Sequence, residues 1–302
     1  RDLHLSIRRQ RQMCIRDSYN PMIAIIGGTG FGSLFGLKHV SSSHIETQYG
    51  EVGIEKGLLL GKPVIFLPRH GNPPRTPPHL INYRANIKAL WDRGVKNIIA
   101  LNAVGSIDHS IQVPSVIVPD QIIDYTNGRE HTFFDDEIRH IDFTNPFDNQ
   151  LRQELVRGSQ GSPELKSFGV YGCTQGPRLE TAAEIRRLRK DGCDVVGMTL
   201  MPEAALAREL GMAYASICFV VNEGAGIRDD LIKFDVIITN KLISFQVSTG
   251  RSFTISIIQP SNHTLTNMNS SIIYNLSFIY FFPRCFIYFR HTISQKIISN
   301  MT

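Results

Sequence analysis

Arg69 and His70 sit in Leu67-Pro68-Arg69-His70-Gly71, directly after an apolar run. A guanidinium offers a fork of donors that matches phosphate oxygens, and an imidazole adds another. Ile25-Ile26-Gly27-Gly28-Thr29-Gly30-Phe31-Gly32 also follows an apolar run. Glycine lets the backbone approach an anion, successive N–H groups can cradle it, and Thr29 adds a hydroxyl. In Leu101-Asn102-Ala103-Val104-Gly105-Ser106, the small Ala103 permits close contact between backbone and ligand. Each stretch also reads as an ordinary turn or surface loop. The glycine loop has neither G-x-G-x-x-G spacing nor a well-placed ribose-binding acid, which leaves an NAD(P)-dependent oxidoreductase as the weaker enzyme reading.

Three further motifs could recognise a sugar and a base. Thr174-Gln175-Gly176-Pro177-Arg178-Leu179-Glu180-Thr181-Ala182-Ala183-Glu184 places Glu180 near the start of a helix. An ionised carboxylate there accepts hydrogen bonds and donates none, although an acid at a helix start is also favoured by the dipole alone. Val196-Gly197-Met198-Thr199-Leu200-Met201-Pro202-Glu203 puts Thr199 at a helix N-terminus, where phosphate binds well, and Met198 beside it. An N-cap threonine and a core methionine are the plainer alternatives. Val220-Val221-Asn222 ends a strand, and asparagine can both donate to and accept from a heterocycle edge or simply begin a turn.

The elements that must hold these residues alternate. Strands are expected at 22–26, 64–67, 97–101, 115–118, 170–173, 194–196 and 214–221. Helices are expected at 78–93, 148–157, 178–190 and 202–210. Pro202 suits a first helical turn, and Gly94, Gly192 and Gly211 suit helix ends. Continuous apolar strands separated by helices predict an α/β fold with a central sheet covered on both faces.

Composition divides the 302 residues into three segments. Residues 1–21 form a basic extension without periodicity, and Met22 is expected to open the fold. Residues 22–228 form the core. Residues 229–302 contain no Ala, Glu or Trp and one Gly, a bias that resembles translated A/T-rich DNA. This tail is expected to lie outside the fold. Its apolar run 272–289 raises a membrane span, but Asn275, Pro283 and Arg284 interrupt it, so no membrane partner is expected. The net charge is +5; residues 1–20 and 229–302 each carry +3, leaving the residues between them at −1. That core charge argues against a nucleic-acid surface. The five cysteines are scattered without a CxxC pair, which fits a reducing, cytoplasmic setting and no metal site.

Taken in order, the six motifs closely resemble the trimeric purine nucleoside phosphorylase and methylthioadenosine phosphorylase family, over residues 22 to about 222. Within it they are most similar to bacterial S-methyl-5'-thioinosine phosphorylases. Asn82-Tyr83-Arg84-Ala85-Asn86-Ile87, His131-Thr132-Phe133-Phe134 and His140-Ile141-Asp142-Phe143 strengthen the resemblance. It implies a single-domain α/β fold of nucleoside phosphorylase type, with a central mixed sheet flanked by helices. It implies phosphate binding by Thr29, Arg69, His70, Ala103 (through its backbone) and Thr199, with Met198 against the ribose and Glu180 and Asn222 on the base. Asn222 and His70 are the implied catalytic residues, and His140 matches a position that reaches a neighbouring subunit's site in a homotrimer. No cofactor is implied, inorganic phosphate being the co-substrate. Relatives acting on adenine nucleosides carry Ser and Asp where this chain has Glu180 and Asn222, so a hypoxanthine-type base is expected. General purine nucleoside phosphorylase and methylthioadenosine phosphorylase activities remain open, as does a nucleoside-binding protein without turnover. The family's closing C-terminal helix is not recognisable after Glu223-Gly224-Ala225-Gly226.

Overall fold

A computed structural model describes residues 22–228, apart from Phe35, Leu60 and residues 159–164, together with four short strands between residues 243 and 257. The expectations for residues 1–21, and for the apolar run 272–289, lie outside the described residues.

The apolar runs become the spine of one eleven-stranded mixed sheet. β1 (Met22–Gly27) lies between β4 (Lys62–Pro68) and β5 (Val95–Ser106), parallel to both, and β11 (Ala213–Glu223) runs parallel along the far side of β5. Alternate residues of these strands are buried on opposite faces. Ala24, Ile26, Ile65, Leu67 and Ile98 join one core cluster, while Ile23, Ile25, Val64, Phe66 and Ile99 join the other. Burial on both faces is why these segments read as continuous apolar runs rather than alternating ones. A second parallel group, β10 (Val195–Gly197), β9 (Val170–Cys173) and β7 (Gln121–Asp124), meets the end of β5 antiparallel through β10. β6 (Ser115–Ile117) pairs antiparallel with β11 and parallel with β8 (Leu165–Lys166).

One edge is a long hairpin, β2 (Leu37–Thr47) and β3 (Gly50–Leu59), which the sequence expectations left out. Most of β2 is exposed, so it lacks the apolar pattern that marks a covered strand. Four short strands beyond residue 228 form two separate ribbons: Ile243–Phe245 with Ile255–Ile257, and Ser248–Thr249 with Arg251–Ser252.

Four α-helices are described: α1 (Tyr83–Asp92), α2 (Asn149–Gly158), α3 (Ala182–Lys190) and α4 (Leu200–Glu209). The expected helix 78–93 divides into a 3₁₀ turn at Pro78–Leu80 and α1, because the Asn82 side chain caps Ala85 N–H and restarts the helix there. The expected helix 178–190 starts later, at the capping box of Thr181 and Glu184, so Glu180 precedes the helix rather than opening it. Met201 has an extended backbone (φ −110°, ψ 135°), so regular α4 begins at Pro202. Gly94, Gly192 and Gly211 follow the C-caps of α1, α3 and α4 with φ of 76°, 91° and 66°, the left-handed ending that glycine allows. No helix among the described residues is long and apolar enough to cross a membrane.

Candidate active site

A break in the sheet organises the site. β11 follows β5 from Asn97 to Ser106, but on the other side β1 stops at the Gly27–Leu101 pair and β10 takes over only at Gly105. Residues 102–104 therefore have no strand partner on that side. The break falls where the parallel and antiparallel parts of the sheet meet, beyond the carboxyl ends of β1 and β4. Open α/β sheets bind ligands at such switch points.

The expected phosphate residues converge here. Gly28 N–H donates to Leu101 O at 3.1 Å, and Arg69 N–H donates to Gly27 O at 2.9 Å, which binds both loops to the end of β5. Thr29 is exposed on the turn that follows. A Cβ on residue 28 would lie 2.8 Å from both Arg69 Nη1 and Leu101 O, so only glycine fits this approach. The Arg69 fork expected to face phosphate is already occupied. Nε and Nη2 donate to the two Glu203 oxygens at 2.6 and 2.7 Å, and only Nη1 turns toward the break, 3.4 Å from Leu101 O. Burial by itself would lower the arginine's pKa, but Glu203 outweighs it and the net shift is upward, so Arg69 stays a cation. Tyr214 O–H also donates to Glu203, at 2.7 Å.

Thr199 reaches the same place from α4. It stands at the N-cap but makes no side-chain cap; instead its hydroxyl donates to Asn102 Oδ1 at 2.7 Å. Asn102 Nδ2 in turn donates to Ser216 Oγ at 2.8 Å. Asn102, Thr199, Glu203 and Ser216 are all buried, so their polar groups need these partners. Ala103 occupies the break itself, paired to Phe219 of β11 on its covered side. His70 turns its ring into its own loop, with Nδ1 2.8 Å from Thr76 O. A carbonyl only accepts, so Nδ1 carries the proton. Burial lowers the ring's pKa, which leaves it neutral at pH 7 with Nε2 as an acceptor rather than the expected donor. A cavity of about 440 Å³ opens beside Arg69 and Gly71, bounded also by His44, Glu51, Asn82 and Asn86.

The residues expected to recognise the base occupy the other flank. Asn222 pairs with Gly105, which also pairs with Val196 of β10, and a Cβ on residue 105 would meet Asn222 Nδ2 at 3.2 Å. Asn222 Nδ2 donates one hydrogen to Glu223 O, leaving its second for a ligand. Glu180 Oε1 accepts from Thr174 Oγ1 at 2.6 Å, and Thr174 N–H is held by Gly197 O. Arg178 forks onto Glu184 instead of Glu180, so the second Glu180 oxygen keeps its lone pairs. The Met198 thioether lies over the backbone at Gly176. His140 is exposed, in the long loop between β7 and α2.

Two residues at the site carried no signal in the sequence expectations. Glu203 lies one residue beyond Pro202, and only the fold shows that it meets Arg69. Arg129 is buried, and its guanidinium bonds to both loops that carry Glu180 and Met198.

A mixed sheet whose two halves meet at a break lined by Gly28, Arg69 and Thr199 is an α/β architecture with its candidate site at the switch point. The chain belongs to the Phosphorylase superfamily, whose sequence profile matches residues 22–251. It is 52% identical over 210 residues to a probable S-methyl-5'-thioinosine phosphorylase of Pseudomonas syringae pv. tomato, covering 67% of this chain and 85% of the relative. It is 46% identical over 216 residues to the 6-oxopurine nucleoside phosphorylase of Pyrococcus furiosus, covering 68% and 81%. Among solved structures, methylthioadenosine phosphorylase from Schistosoma mansoni in complex with adenine superposes with a TM-score of 0.70 at 30% identity, covering 72% of this chain and 85% of that one. The expected nucleoside phosphorylase fold is thereby borne out.

Proposed function

We propose that the chain catalyses phosphorolysis of a 6-oxopurine nucleoside, with S-methyl-5'-thioinosine preferred, giving hypoxanthine and 5-methylthioribose 1-phosphate. The observation that carries this reading is the gathering of two groups at one break in the sheet. Gly28, Arg69 Nη1 and Thr199 converge on Leu101 and Asn102, while Asn222 and the Glu180 loop flank Gly105 and Gly197. The relatives named as thioinosine and 6-oxopurine nucleoside phosphorylases support it.

In this reading the Gly28–Thr29 turn, Arg69 Nη1 and the Thr199 region hold hydrogen phosphate below the sugar. Neutral His70 offers Nε2 to the phosphate O–H, and the backbone around Ala103, without a strand partner on the side away from β11, lies alongside. The bond from C1' to the purine breaks first, and its electron pair leaves with the base. Phosphate oxygen then bonds to the oxocarbenium-like C1', and the phosphate proton ends on the released purine. Fixed donors on both reactants lower the barrier by proximity and electrostatics. Asn222 donates to N7, where negative charge develops. The free Glu180 oxygen accepts from N1–H of a 6-oxopurine. A 6-aminopurine presents a bare N1 to the same carboxylate and is repelled. The chemistry requires no metal or organic cofactor.

Exposed His140 fits a role across a subunit boundary, and we read the active form as a homotrimer in the cytoplasm. Phosphorus NMR tests the reaction. A sugar 1-phosphate signal growing at the expense of inorganic phosphate supports phosphorolysis. Base release without phosphate consumption would replace it with hydrolysis, and nucleoside binding without release would favour a binding protein.

A further inference from the structure

We infer that Arg129 is a positioning residue that locks the base-side loop to the sugar-and-phosphate-side loop. Its Nη1 donates to Met198 O at 2.9 Å, Met201 O at 2.6 Å and Tyr83 Oη at 3.2 Å. Its Nη2 donates to Gln175 O at 2.9 Å and Thr174 O at 3.4 Å, and its Nε to Gln175 Oε1 at 3.2 Å. The Tyr83 ring lies under the guanidinium, 5.4 Å from its centre. One side chain thus spans two loops that are remote in sequence. The first carries Thr174, which holds Glu180; the second runs from Met198 through Thr199 to the start of α4.

Among the described residues, no carboxylate pairs with Arg129, although the residue is only 8% exposed. Burying a cation without a counter-ion is costly, and a lysine, with a single point charge and three donors, cannot reach all six acceptors. The planar fork is what fits. The surrounding loop is fastened independently, since Thr132 Oγ1 and Phe133 N–H both donate to Glu209 at the far end of α4, and Asn127 N–H donates to Gln175 Oε1. Arg129 is therefore not needed to hold its own loop down. Its bonds run outward, to the loops that present Glu180, Met198 and Thr199.

The catalytic part of this inference rests on the proposed phosphorolysis; the mechanical part does not, and Arg129→Lys separates them. Amide hydrogen exchange in residues 172–176 and 197–201 is expected to quicken about tenfold, the loss of one to two net hydrogen bonds, while β1 and β4 keep the exchange of the parent. The KM values for phosphate and nucleoside are both expected to rise, with the melting temperature nearly unchanged. Unchanged exchange in either segment overturns the inference whatever the activity. Faster exchange in both, with a parent chain that phosphorolyses nothing, upholds the lock and overturns the functional reading. Should the lysine variant not fold, Tyr83→Phe and Gln175→Ala each remove one of the Arg129 contacts, together with the Tyr83–Pro78 and Asn127–Gln175 bonds respectively. They are expected to show the same pattern at about threefold, and no change in either variant overturns the inference.

Discussion

Arg69 and Glu203, 134 residues apart in sequence, meet through two short bonds of 2.6 and 2.7 Å with both side chains fully buried. The pair fixes the plane of the guanidinium, so that its remaining nitrogen points to the break in the sheet. Glu203→Ala would leave a buried cation without its counter-ion, which costs about 3–5 kcal/mol. Denaturant unfolding should show that loss. Arg69→Met with Glu203→Met should be less destabilised than Glu203→Ala, because no lone charge remains.

Thr199 and Asn102 form the next link. Thr199→Val removes the hydroxyl that holds Asn102 Oδ1 at the break and should raise the KM for phosphate about five- to tenfold, the worth of one net hydrogen bond, with the nucleoside KM little moved. Thr199→Ser should restore the parent value. Steady-state kinetics with each substrate varied separately checks this.

His70 sets a pH dependence of stability. Burial, the largest influence, and then Arg69 lower its pKa from 6.5, against the pull of the Thr76 carbonyl. Below pH 6.5 the unfolded chain takes up a proton that the folded site resists. Stability is therefore complete above pH 6.5 and is lost as pH falls through the lower folded-state value. Urea midpoints at pH 7.5, 6.5 and 5.5 should fall on the acid side in the parent and fall less in His70→Asn.

The parallel spine was legible in the sequence because β1, β4, β5 and β11 are covered on both faces and so run apolar without interruption. The β2–β3 hairpin was not, since β2 is mostly exposed and carries Ser41, Ser42 and His44 where a buried strand would be apolar. Thr29, Arg69, Ala103, Thr199, Glu180 and Asn222 could be named from motifs that end strands. What those motifs could not show is how the side chains are oriented. Arg69 turns most of its donors to Glu203, and His70 turns its proton to Thr76, because both choices depend on neighbours set by tertiary packing. Arg129 was invisible for the same reason: its partners are mostly backbone carbonyls, and carbonyls leave no mark on a sequence.

The central claim is base choice by Glu180 and Asn222 within a phosphorolytic site. Glu180→Ser removes an acceptor with full charge, worth about 2–3 kcal/mol, so activity on a hypoxanthine nucleoside should drop roughly 30- to 150-fold in kcat/KM. The most direct measurement follows base release by the parent chain from S-methyl-5'-thioinosine, inosine and 5'-methylthioadenosine, each with and without phosphate. The account predicts phosphate-dependent release of hypoxanthine, fastest from the thioinosine, and negligible adenine. Adenine released as fast as hypoxanthine would contradict it.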